Sequence, residues 1–184
     1  MSLWTDHVAR WRYCTLCPLS EQRSRTVLGR GECPCDVVFI GEAPGLSEDT
    51  IGLPFVGPAG KLQDGIIEAA CLMSGKRPRM ALTNLCCCFP AIAKAAGTNE
   101  PEHDEIVACQ PRLVEFVNLC SPALIVALGA LADAYVPTLR AITEGRDYVT
   151  IDHPAYIVRL KKVAQDMAAH RAAVKLSMAF AKLP

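Results

Sequence analysis

The chain carries no net charge: 19 Lys and Arg stand against 19 Asp and Glu over 184 residues. Bulk electrostatics therefore gives no hint of nucleic acid, and any polyanion-binding role falls to local patches. No apolar run reaches the roughly 20 residues that cross a bilayer, and the opening MSLWTDHVARWRY lacks the apolar stretch of a secretory signal. These absences predict a soluble, cytoplasmic protein with no membrane partner. Internal repeats and low-complexity segments are missing too. With 51% apolar residues the chain has enough to bury, and its length predicts one domain spanning residues 1–184.

What is abundant is cysteine, ten in all. Disulfides are disfavoured in the cytosol, so ligation of a metal or cluster is the better reading for some of them. Charge, although balanced overall, is uneven along the chain. Residues 1–30 hold five Arg against Asp6 and Glu21, and residues 139–184 hold eight Lys and Arg against four acids. Two basic ends on a common surface would face DNA; scattered solvated charge is the competing reading.

Hydrophobic periodicity predicts a short amphipathic helix over 3–13, then an Arg-rich connection through 20–30. Strands are predicted at Asp36–Ile40, Met80–Leu85, Ala123–Leu128 and Tyr148–Ile151. Helices are predicted at Gly60–Met73, from Pro101 to Leu119, at Gly129–Tyr135, and as one long element over Val158–Lys182. Phe89–Asn99 reads as loop or partial helix. Alternation of strand and helix predicts an α/β sandwich around a mainly parallel sheet.

Such sheets place their sites at the carboxyl ends of strands. Glu42 follows the first strand in the turn Gly41-Glu-Ala43-Pro-Gly45, and Phe55 lies in the Gly- and Pro-rich loop beyond it. Asn84 ends the second strand, and its amide can read the edge of a planar base. Gly129 follows the third. His153, held extended by Pro154, follows the fourth. Each alone is more simply an idle turn residue. Together they supply an acid, an amide, an imidazole and an aromatic platform, a set that suits a flat, hydrogen-bonding ring.

Cys14-Thr-Leu-Cys17 follows a helix and precedes Pro18, which favours ligation over redox exchange. Cys88 and Cys109 are candidates to complete a four-thiolate site, with Cys33 and Cys35 as competitors. Cys71 and Cys120 read as core residues. Cys86 and Cys87 are expected to point to opposite sides of the second strand. Spacing alone does not separate zinc from an iron–sulfur cluster.

In these motifs the chain resembles the iron–sulfur (family 4) uracil-DNA glycosylases. CTLCPLSEQRSRTVLGRGE at 14–32, GEAPG at 41–45 with GLPFVGPAGKL after it, TNLCCCFP at 83–90, EIVAC at 105–109, PALIVALG at 122–129 and HPAYIVR at 153–159 occur in that family's order. The resemblance implies a three-layer α/β/α sandwich with a central four-stranded, mainly parallel sheet. It implies hydrolysis of the N-glycosidic bond of deoxyuridine in uracil-containing DNA, releasing uracil and leaving an abasic site for base-excision repair. It implies a [4Fe–4S] cluster on Cys14, Cys17, Cys88 and Cys109. By motif position, Glu42 and His153 are catalytic, and Phe55, Asn84, Gly41 and Ala43 hold the base. A Tyr156–Arg159 loop presses into the DNA. No lysine matches an active-site position, so a monofunctional enzyme without a lyase step is expected, acting as a monomer.

The chain departs from the pattern between Cys88 and Cys109, where the interval is long and the run CCCFP lacks the usual Lys and Arg. A related branch has an enlarged loop here, ending in a histidine that bonds covalently to DNA. In this chain Lys94 is the only basic residue of the loop before His103, and His103 is expected at the surface of the next helix, so covalent trapping is not the expectation. Asp152 stands where an aromatic is usual and could alter the charge state of His153. Leu62-Gln63 is a milder change. The competing functions are a catalytically weak or silent DNA-binding module on the same scaffold, perhaps replication-associated, and a zinc-stabilised α/β protein with another ligand.

Overall fold

β-Branched and aromatic residues in three short apolar runs make the centre of a sheet. In the computed structural model, which describes residues 3–90 and 100–184, these are β2 (Val37–Gly41), β3 (Met80–Asn84) and β4 (Leu124–Leu128). A fourth strand, β5 (Asp147–Ile151), pairs with β4. The two-residue β1 (Arg30–Gly31) runs antiparallel along the outer edge of β3. The spatial order is β1-β3-β2-β4-β5, parallel except for β1. The sheet thus has five strands, not the expected four. The extra one lies in the Arg-rich connection, and two residues are too few to carry a periodic signal.

Side chains alternate across the sheet. Val38, Ile40, Ile125 and Ala127 pack toward one layer, and Val37, Phe39, Leu124, Val126 and Leu128 toward the other. The first layer contains α1 (Leu3–Trp11), α4 (His103–Cys120), α5 (Gly129–Tyr135) and α6 (Arg140–Thr143). The second contains α3 (Pro58–Ser74), α7 (Pro154–Val158) and α8 (Lys162–Phe180). This is the expected three-layer sandwich. Of the two basic ends, α1 and α8 lie on opposite faces of the sheet, while α6, from the C-terminal basic stretch, packs in the α1 layer.

Helix boundaries differ from the sequence reading in two informative places. A short helix, α2 (Leu46–Ile51), fills the interval between the Glu42 turn and Phe55. The long C-terminal helix starts later than expected, after Lys161, and a separate short helix, α7, with Pro154 at N1, precedes it. Tyr156 therefore lies on a helical turn and Arg159 at its C-cap, rather than in a loop. No helix among the described residues is long and apolar enough to cross a membrane.

The chain order reverses at β2, whose neighbours are the later strands β3 and β4. The crevice at such a reversal, beyond the strands' carboxyl ends, is where an open α/β sheet accommodates a ligand.

Candidate active site

Four strand ends converge there, and two glycines report how closely. A Cβ built on Gly41 would lie 2.5 Å from Asn84 Oδ1 and 2.7 Å from Phe55 Cζ. One built on Gly129 would lie 2.8 Å from His153 Cβ and 3.1 Å from Glu42 Oε1. Glycine thus lets an amide and an aromatic ring close in at Gly41, and a carboxylate and an imidazole at Gly129. Gly129 also has φ +88°, which disfavours any side chain there. Asn84 sits opposite Gly41 in the parallel register, and Leu85 and Cys86 donate their N–H groups to the carbonyls of Gly41 and Glu42 at 2.9 and 3.0 Å. Ala43 is half-buried beside Glu42.

Gly41→Ala is expected to crowd both the amide and the ring. Overpacking of this kind costs about 1–3 kcal/mol of stability, so the variant should melt at a lower temperature in thermal unfolding.

Phe55 is 7% exposed and has φ +56°, a strained conformation for a bulky residue. Its neighbours enforce it. Val56 and Gly57 donate N–H bonds to Glu48 Oε1 at 2.9 and 2.8 Å, and Gly45 donates to Glu48 Oε2 at 3.1 Å. Gly60 on α3 lies so close to the Phe55 carbonyl that a Cβ there would overlap it. Glu48 therefore ties the Glu42 turn to the Phe55 loop, a role the sequence reading missed. The available signal was its place three residues after Gly45, the capping-box position of a helix. Glu48→Ala should leave three N–H donors without this acceptor. It is expected to cost about 1–3 kcal/mol in thermal unfolding and to raise KM more than it lowers kcat.

Burial and charge tune the two ionisable groups apart. The Glu42 carboxyl is pushed up to about 7, chiefly by burial and then by the like charge of Glu100, with Arg159 opposing. His153 is pushed down to about 4 by burial and by Arg159. Asp152, exposed, takes no part in that shift. The Ala155 N–H donates to His153 Nδ1 at 3.1 Å, so in the neutral imidazole Nδ1 is the acceptor and Nε2 carries the proton. Near neutral pH the site therefore offers a carboxylate in balance with its acid, and an N–H donor without charge. Such opposed tuning is the mark of acid–base assignments at a catalytic centre. Tyr156 is 51% exposed and Arg159 is exposed beside it, at the rim.

Residues 28–175 match the family model described as the Uracil DNA glycosylase superfamily. The chain belongs to that superfamily. The matched span contains Glu42, Phe55, Asn84, Cys88, Cys109 and His153. The chain is 38% identical to the type-4 uracil-DNA glycosylase of Saccharolobus solfataricus over 125 residues, covering 68% of this chain and 55% of the relative. It is 30% identical to the type-4 uracil-DNA glycosylase of Thermotoga maritima over 162 residues, 82% and 80% of the two chains. It thus spans about half the length of the first relative and most of the second. The crystal structure of SMUG2 from Pedobacter heparinus has the same fold, with a TM-score of 0.52 at 11% identity over 78% of this chain and 75% of that one.

In this glycosylase-superfamily chain the expected cluster ligands are partly assembled. Cys17, Cys88 and Cys109 are close enough for the charges of the last two to bear on the first. Cys14 is half-buried one turn earlier in the chain. Guanidinium groups reach two of the sulfurs: Arg23 Nη1 donates to Cys88 Sγ at 3.2 Å and Arg112 Nη2 to Cys109 Sγ at 3.7 Å. Within the Cys86–Cys88 run the thiols separate. Cys88 and Cys109 are held below the usual range, chiefly by hydrogen bonds from neighbouring thiols, whereas Cys86 and Cys87 are driven up by bonding to Cys109 and by burial. Thiolate is the ligating form, so the donor chemistry favours the expected pair.

No three His, Cys, Asp or Glu among the described residues gather as around a single metal ion. A four-iron cluster asks for something else, four thiolates spread around it; Cys17, Cys88 and Cys109 are three cysteines near one another that suit that demand. Cys86, Cys87 and Cys88 all lie beyond the end of β3 and pack in the same core layer, not on opposite sides of a strand. β3 ends at Asn84, so strand alternation does not reach them. Cys35 donates its backbone N–H to the Cys120 carbonyl, at the opposite end of the sheet from the strands' carboxyl ends, and is no competitor for the cluster. His103 is exposed on the first turn of α4, with Nδ1 2.7 Å from the Tyr135 hydroxyl. Lys94 lies outside the described residues.

Proposed function

We propose that the chain removes uracil from DNA by hydrolysing the N-glycosidic bond of deoxyuridine, leaving an abasic site. The observation that carries this reading is the convergence of Asn84 and Phe55 on Gly41, and of Glu42 and His153 on Gly129, at the carboxyl ends of the strands. A base inside a duplex is out of reach of such a site, so the nucleotide must be flipped out of the stack. Phe55 stacks on the ring, and the Asn84 amide pairs with the O4 and N3–H edge. As the glycosidic bond lengthens, the sugar becomes cationic and the base anionic. His153 Nε2–H donates toward uracil O2 and stabilises the leaving anion; being neutral, the imidazole needs no proton from solvent to do so. Glu42 in its carboxylate form orients the attacking water, accepts its proton and favours the cationic sugar. Backbone N–H groups at Gly41 and Ala43 assist at the base. Tyr156 and Arg159 at the rim contact the DNA, with Arg159 near phosphate.

A [4Fe–4S] cluster held by Cys14, Cys17, Cys88 and Cys109 would supply structural support and DNA positioning rather than redox chemistry, since it lies outside the catalytic set. The enzyme is monofunctional, because none of the residues that match the family's active-site positions is a lysine able to form a Schiff base. It acts as a monomer, in the cytoplasm. The test is alkaline strand cleavage of a uracil-containing oligonucleotide after incubation with the protein. Cleavage at the uracil position is expected with the unmutated chain. Intact, iron-loaded protein that yields no abasic product on single- or double-stranded substrate overturns the reading.

A further inference from the structure

Arg112 is the largest side chain wholly shut away from solvent, at 0% exposure. It lies on α4, one turn beyond Cys109, and its guanidinium reaches the carboxyl end of β3. Nη1 donates to Thr83 Oγ1 at 2.7 Å. Nη2 donates to the carbonyls of Asn84 at 2.5 Å and Leu85 at 2.9 Å, and to Cys109 Sγ at 3.7 Å. Among the described residues no carboxylate accepts a hydrogen bond from it. A buried cation without a counter-charge is strongly unfavourable, and carbonyl oxygens only partly replace one. Cys109 Sγ, on the helix that would hold the cluster, is the acidic side-chain atom it touches among the described residues.

One planar fork therefore joins two parts of the molecule. On one side is the backbone of Asn84, whose amide lies against Gly41 beside the Phe55 ring. On the other is Cys109, on the helix that would hold the cluster. A lysine could not span these acceptors, since its ammonium is a single point of charge without the fixed fork.

We propose that Arg112 is a positioning residue for uracil recognition: its fork holds the Asn84 end of β3 in place, and its charge is balanced through Cys109 by the thiolate-bound cluster. The proposal rests on the roles given above to Asn84 and to the cluster. It makes the cluster's integrity a condition of base reading, although the cluster touches no reacting atom.

The test compares the iron-containing full chain with its Arg112→Met and Arg112→Lys variants. Three quantities are read on folded protein: iron per chain, the cluster's midpoint potential, and affinity for free uracil. Loss of the positive charge in Arg112→Met is expected to move the potential to more negative values, because net charge and hydrogen bonds to the sulfurs set it. Uracil affinity should fall roughly 10- to 100-fold, as for other residues that orient a site from behind. Arg112→Lys is expected to keep a potential near that of the parent while failing to recover uracil affinity. A lower melting temperature with unchanged potential and unchanged uracil affinity would make Arg112 an ordinary core residue and overturn the proposal. If Arg112→Met does not fold, Arg112→Lys decides alone, and unchanged affinity in it overturns the positioning role. A parent chain without iron overturns the counter-charge. The parent's own uracil release scores the enzymatic reading separately.

Discussion

Glu42→Gln is expected to slow uracil release by roughly 10²- to 10⁴-fold, the usual worth of a positioned general base, and to abolish the pH dependence of the reaction near neutrality. The Glu42 carboxyl titrates at about 7 in the folded protein, raised first by burial and then by Glu100. The working form is the carboxylate, so kcat/KM of the parent should rise with pH and level off above about 7. The amide variant has nothing to titrate, and its residual rate should be flat across that range. Stability should move the other way. A carboxyl raised on folding contributes stability that is fully present below its unfolded value of 4.5 and is lost as pH rises through about 7. The parent therefore carries an unfavourable buried charge at about pH 8 that Glu42→Gln lacks. The variant should melt higher than the parent there and show no such gain near pH 4.5. Thermal unfolding at the two pH values, beside single-turnover rates, checks both. A variant that keeps the inflection near 7 would move the titrating group elsewhere.

His153→Ala is expected to cost roughly 10²- to 10³-fold in kcat, the measure of removing one hydrogen-bond donor from a developing anion. It should leave the inflection near 7 in place, because His153 titrates at about 4 and is neutral throughout that range. The pair of variants therefore separates the two roles: one erases the pH dependence, the other only lowers the plateau. The linkage to stability again has a definite sign. His153 has a folded value near 4, depressed from 6.5 by burial and by Arg159. Its neutral form is favoured on folding, so its contribution is present above 6.5 and lost as pH falls toward 4. The parent should lose stability through that acid window, and His153→Ala should lose less. An acid limb of equal steepness in both would exclude His153 as its source.

Glu42, Asn84 and His153 were legible in the sequence because each stands at the end of a run short enough to be a strand, and a parallel sheet sends all such ends to one edge; Phe55 was legible as the aromatic of the Gly- and Pro-rich loop after the first. The strand itself could be read, since burial on both faces leaves a continuous apolar stretch. Glu48 was not legible as functional. The capping-box spacing marks only its bond to the Gly45 N–H; its bonds to Val56 and Gly57, eight and nine residues away, leave no mark in the sequence. Arg112 looked like one more helical arginine, and only α4 packing against β3 turns it inward. The short helix α7 escaped notice because Pro154 can begin a helix as readily as end a strand. β1 escaped because pairing at an edge needs a partner, which two residues do not announce.

By itself, the sequence determined the layer architecture, the family and the chemical types gathered at the strand ends. These follow from local periodicity, from turn chemistry and from motifs that keep their order along the chain. Tertiary structure alone decided what those groups can do. The value near 7 for Glu42 and near 4 for His153 come from burial and from Glu100 and Arg159, which stand far from them in the chain or on the next turn. The Phe55 ring meets Gly41 because Phe55 is held at φ +56° by Glu48 and pressed by Gly60. Which cysteines of the 86–88 run favour the thiolate was settled by the positions of Arg23, Cys109 and their neighbours around them. Residue type states which protons and lone pairs are available; distance and dielectric set their energies, and those exist only once the chain has folded.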